Sequence, residues 1–106
     1  MLAMLELISQ VKLRWLSANE GGRKGLPQGP IYYANARFAG DPEHQIFSIG
    51  LILPIGKPEN AELRILVPEN LPEVAARIVP GAKLHLTEGI KTVADCDIRL
   101  VELEER

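Results

Sequence analysis

Two short segments carry the residues best suited to chemistry. Glu20-Gly21-Gly22-Arg23-Lys24 lies early in the chain, and Glu88-Gly89-Ile90-Lys91-Thr92 lies late. Each sets an acidic residue before glycine and a base after it, at the end of a strand-like run. Glycine lets the backbone reach positive φ and approach a partner closely. Arg23 offers a planar fork and Lys24 a point charge, both suited to phosphate, while Lys91 and Thr92 add a second cation and a hydroxyl. Brought together by a closed sheet, the two loops could hold a nucleic-acid backbone without reading its sequence. The plainer reading is two tight turns, with glycine for geometry and charge for solubility.

Other candidate sites are weaker. Gly50 to Gly56-Lys57 has the outline of a phosphate loop, but five residues separate the glycines where the motif has four. Pro58 stands where a hydroxyl should hold magnesium, and Pro54 removes an N–H the cradle would need. Strand followed by turn is the better reading, so no nucleotide is expected. His44, His85 and Cys96 are scattered without paired ligand spacing, so neither a metal nor another cofactor is expected. His85 reads as a surface histidine and Cys96 as a small buried hydrophobe. Ser9, Ser17 and Ser48 lie in no nucleophile context. Asp95 and Asp97 project from one strand face, where two carboxylates could form an acid–base pair. A solvated face balanced by cross-strand Lys or Arg accounts for them more simply.

The elements that must position these residues have a period of two. Leu5, Leu7, Val11, Leu13 and Trp15 alternate with polar residues, as do Tyr32, Ala34, Ala36 and Phe38. Residues 46–53 form an apolar run in which Gly50 suggests a bend or bulge. Leu63, Ile65 and Val67 mark a fourth strand, Leu84 and Leu86 a fifth. Ala94, Cys96, Ile98 and Leu100 mark a sixth, alternating with Asp95, Asp97 and Arg99. Six strands with turns between them predict an all-β fold, a barrel or a sandwich. Asn19 to Pro30 reads as a long exposed loop, and Gly40-Asp41-Pro42 and Gly56-Lys57-Pro58 as turns. Pro72 to Ile78 can make one or two helical turns, and Glu102 to Arg106 reads as a frayed tail.

The 106 residues suit one domain, 1–106, with a single core. A net charge of −2 argues against a strongly basic, nonspecific nucleic-acid binder but allows a local basic patch. With one cysteine no internal disulfide forms, which fits a reducing cytoplasm. Met1 to Leu5 reads as the start of a strand, not a signal peptide, and no apolar run approaches the roughly 20 residues of a membrane helix.

The chain resembles the C-terminal β-barrel domain of translation elongation factor Tu. Leu16-Ser17-Ala18-Asn19-Glu20-Gly21-Gly22-Arg23 is similar to that family's Leu-Ser-x-x-Glu-Gly-Gly-Arg block. Tyr32 to Phe38 matches the aromatic strand that comes next, and Thr87 to Ala94 a later Glu-Gly-Gly-Arg-Thr-Val block, with Ile90 for glycine and Lys91 for arginine. The resemblance runs from about Glu6 to Leu103 and is loosest from Phe47 to Pro80. It implies a closed six-stranded antiparallel barrel and, by analogy, tRNA-facing positions at Gly22, Arg23, Glu88, Gly89, Lys91 and Thr92. GTPase motifs are missing from the sequence, so the factor's own activity is not expected. The reading is therefore a non-enzymatic binding barrel for a protein partner or for itself. The alternative is binding of a structured RNA stem through Glu20 to Lys24 and Glu88 to Thr92, with an enzyme using Asp95 and Asp97 as the least favoured.

Overall fold

Alternating apolar positions bury one face of each strand when the sheet packs on a core, and a closed barrel does so without leaving a free edge. The computed structural model describes residues 5–23, 25–27, 30–42, 45–54, 59–67 and 72–105. They form a closed antiparallel barrel of six strands: β1 (Leu5–Trp15), β2 (Ile31–Phe38), β3 (Phe47–Ile52), β4 (Asn60–Val67), β5 (Lys83–Glu88) and β6 (Lys91–Glu105). Their order around the ring is β1-β4-β3-β2-β5-β6, and β1 closes it by pairing with both β4 and β6. The helix α1 (Pro72–Arg77) joins β4 to β5, with proline at its first position, where a missing N–H costs nothing.

The inward positions build one core. Leu51, Leu63, Leu84 and Leu86 are fully buried, with Ile98 and Cys96 beside them. Burial pushes the Cys96 thiol up to about 12, which keeps it protonated and inert. At one mouth of the barrel Ile78 is buried, and Val74 and Ala75 pack on the same core. Arg77 holds α1 there, lying 3.9 Å from the Phe38 ring centre and donating to both carboxylate oxygens of Asp41 at 2.7 and 3.1 Å.

Three sequence expectations need correction. Gly50 causes no bulge: it stays in register with Tyr33 on one side and Arg64 on the other, and its missing side chain makes room for the Tyr33 ring. The register breaks instead fall on β6. Val11 faces Ile98 while Gln10 faces Leu100, so Arg99 is an extra residue; Val93 is extra in the same way opposite Leu86 and Thr87. A one-residue insertion reverses the facing of the residues beyond it. Leu100, expected on the inward face, is therefore 63% exposed, and Val101 packs on the core in its place. Finally, Glu102 to Glu105 is no frayed tail, because residues Leu5 to Ile8 of β1 supply its pairing partners. The Gly56-Lys57-Pro58 turn, His44, Met1 to Met4 and Arg106 lie outside the described residues. Among the described residues no helix is long and apolar enough to cross a membrane.

Candidate functional site

The second barrel mouth gathers the two glycine loops. On β1, β2 and β5 the last inward-facing positions are Trp15, Tyr32 and Glu88, since each is in phase with the buried residues of its strand. Trp15 and Tyr32 pack edge to face with ring centres 5.8 Å apart. The Glu88 carboxylate accepts hydrogen bonds from the Tyr32 hydroxyl and the Arg23 guanidinium. Arg23 also donates through Nε to the Gly25 carbonyl at 3.0 Å and lies 5.4 Å from the Tyr32 ring centre. A carboxylate at a half-closed mouth needs such partners, because burial without them is costly.

The electrostatics reflect this geometry. The Tyr32 hydroxyl, then the Arg23 charge, hold the Glu88 carboxyl below the usual carboxylate range against the opposing effect of burial. Burial, then the Glu88 charge, pushes the Tyr32 phenol up to about 12.

Loop chemistry sets Arg23 in place. After Trp15 the chain makes one 3-10 turn, Ala18–Glu20. Glu20 turns back on it, its carboxylate accepting from the Ser17 N–H and from Arg14, both at 3.0 Å. Those bonds, the Ser17 N–H first, lower the Glu20 carboxyl. Gly21 closes the turn at φ 85°, in the left-handed region. Gly22 is buried, and a Cβ there would lie 2.2 Å from the Leu16 carbonyl oxygen. The late loop is a two-residue hairpin turn between paired Glu88 and Lys91. Gly89, at φ 61°, takes the first central position, the mark of a type II′ turn, and Ile90 is fully exposed at the tip.

Of the residues singled out in the sequence, Arg23 and Glu88 meet directly. Glu20 faces Arg14 instead, Lys91 is exposed, and Thr92 pairs in register with Thr87. Lys24 lies outside the described residues. Asp95 and Asp97 share a face but serve different cations. Asp95 accepts from Arg14 at 2.8 Å and lies 2.9 Å from His85 Nδ1, while Asp97 accepts from Lys83 at 3.1 Å. Burial would raise the Asp95 carboxyl, but Arg14 and His85 outweigh it and hold it low, the opposite of what a general acid needs. Among the described residues no cluster of His, Cys, Asp or Glu is arranged to hold a metal ion.

Sequence reasoning did not foresee an apolar outer face. Ile31 and Tyr33 point outward from β2 at 52% and 76% exposure, and Ile31 pairs with half-buried Ile52 on β3. Tyr33 faces Gly50, and its ring passes close to the space a Cβ there would fill, 3.3 Å at the nearest atom. The signal was present in the alternation itself, which sets Ile31 and Tyr33 on the side opposite Tyr32 and Ala34. In comparisons with known proteins, no family model, no curated protein and no solved structure matched the chain.

Proposed function

We propose that this chain is a non-catalytic binding barrel, of the kind found at the C-terminus of elongation factor Tu, that engages a protein partner. The observation that carries this reading is the outer face of β2 and β3. Tyr33 is highly exposed there yet held over Gly50, with Ile31 and Ile52 alongside. Arg64 and Glu62 form an ion pair at 2.9 Å on the next strand, giving the patch a polar border. Protein interfaces concentrate their binding energy in rigid aromatic anchors with aliphatic neighbours and a polar rim. The paired carboxylates, held low or bridged to cations, favour binding over catalysis.

A photo-crosslinking residue in place of Tyr33 tests this in cells. A discrete crosslinked protein, or a crosslinked dimer of this chain, is expected, and Ile31→Ser should abolish it. Failure to crosslink any protein, with the purified chain monomeric at high concentration, would overturn the reading.

One observation favours the RNA alternative as a second reading. The two glycine loops meet at a single mouth, with Lys91 exposed beside the Arg23–Glu88 pair. Arg23 is already paired with Glu88, so Lys91 would make the first phosphate contact. A tRNA-like stem at low salt should then shift the amide signals of residues 20–23 and 88–92, and Lys91→Ala should lower the log–log salt slope by about one. Unmoved signals exclude it.

A further inference from the structure

The ring order sets a second outer surface across the barrel from Tyr33. β3 and β2 stand opposite β6 and β1. On that far side a shallow groove crosses β1, β6 and β5. The register lays its outward residues in two rows. Lys12 faces Asp97, which faces Lys83; Arg14 faces Asp95, which faces His85. The bulge then adds Arg99 beside the first row. Four cations thus surround two carboxylates, leaving eight cations against twelve carboxylates on the rest of a chain whose net charge is −2. Arg14 is further shared with Glu20 at the groove's edge.

The cations divide by role. Arg14 and Lys83 are tied to Asp95 and Asp97, which fixes them in place. Lys12 and Arg99 are exposed and have no ion-pair partner among the described residues. Lys12 faces Asp97 from β1, Arg99 stands two residues beyond Asp97 on β6, and both line the groove.

We propose that this groove docks an acidic segment of a partner polypeptide, whose carboxylates seat on Lys12 and Arg99 and extend to Arg14. Four features select that occupant. The outward side chains of the two rows are all charged or histidine, which suits a charged occupant better than a protein surface with an apolar centre. Asp95 and Asp97 lie in the middle of the groove. A nucleic acid, with a phosphate at every step, would set charge against them, whereas a polypeptide can leave neutral residues there. The outward residues include no aromatic on which bases could stack. Lys12 and Arg14 are two residues apart on one strand, about 6.7 Å, the repeat of alternate side chains in an extended peptide.

The proposal does not rest on the Tyr33 face, and its test is separate. A fluorescent synthetic peptide alternating glutamate with serine is titrated into the full chain at low salt, with anisotropy and amide shifts as readouts. Binding should weaken with salt and shift residues 12–14, 83–85 and 95–99. The charge reversal Lys12→Glu/Arg99→Glu should weaken it about tenfold or more, and Tyr33→Ala should leave it unchanged. Both reversed positions are exposed, and circular dichroism checks that the variant folds. The proposal is overturned if the peptide fails to bind, if the reversed variant binds it as well as the parent does, or if duplex RNA or anionic vesicles bind the groove more tightly than the peptide.

Discussion

At the scale of single residues, the mouth cluster behaves as a latch between the first loop and the last hairpin. Glu88 is the one member whose charge both other partners need. Replacing it with glutamine removes the ion pair with Arg23 and leaves Tyr32 donating to a neutral amide, and should cost about 1–2 kcal/mol in urea unfolding. The pH dependence has a definite sign. The Glu88 carboxyl is held low, so its contribution is complete above the ordinary carboxylate range and is lost as pH falls through its own lowered value. Glu88→Gln should therefore flatten the acid limb of the stability curve. The Tyr32 phenol is raised to about 12, so its contribution holds below the ordinary phenol value of roughly 10 and disappears as pH climbs to about 12. A tyrosinate absorbance titration should show a late-ionising phenol that Tyr32→Phe removes. Gly22 makes a sharper case. Its absent Cβ would collide with the Leu16 carbonyl, which is backbone and cannot swing aside. Gly22→Ala should cost about 2 kcal/mol or more, whereas Gly25→Ala, with open space around it, should lie within roughly 0.5 kcal/mol of the parent. Equal costs at the two glycines would refute this account. The meeting of Arg23 and Glu88 was legible in part, because both lie at strand ends that a closed sheet brings together. Their mutual pairing was not, since it depends on the three-dimensional mouth that Trp15 and Tyr32 line.

At the scale of elements, the strands were legible because alternation survives wherever one face is buried. Tyr32 to Phe38 and Leu84 to Leu86 needed no more than that. The bulges were not legible, because Arg99 and Val93 are ordinary strand residues and only the pairing partner reveals that they are extra. Gly50 misled for the complementary reason: glycine in a strand marks either a bulge or a close approach, and here the approach of Tyr33 decides it. The bulge at Arg99 has a consequence that strict alternation would reverse. Leu100→Ser should change stability by less than about 0.5 kcal/mol, since the side chain is in water, while Ile98→Ala should cost about 2–5 kcal/mol by opening a cavity in the core. Chemical denaturation of the two variants checks it. Comparable losses would mean that β6 keeps one phase throughout. The same bulge carries Arg99 to the groove beside Lys12, so an irregularity that spoils the sequence pattern also builds the proposed docking surface.

At the scale of the whole molecule, the ring has no independent part. β1 pairs with β4 and β6, and β2 with β3 and β5, so every strand depends on two others and the first strand is stitched to the last. The entropy of loop closure is therefore lost before most contacts form, which places refolding in the slow range of all-β domains, roughly milliseconds to seconds. It also makes the two outer faces mechanically one body, since the Tyr33 face and the cationic groove are opposite sides of the same hydrogen-bonded cylinder. Unfolding should then be all-or-none. Trp15, the single tryptophan, reports from the latched mouth, far-ultraviolet circular dichroism from all strands together, and the buried Cys96 thiol from the middle of the core. The three signals should trace one denaturant transition with a common midpoint. Cys96 in particular should stay unreactive toward thiol reagents until that midpoint, because its environment suppresses the thiolate. A Trp15 transition that precedes the others would show the mouth opening on its own, and would leave the two glycine loops as a separable lid instead of part of the cylinder.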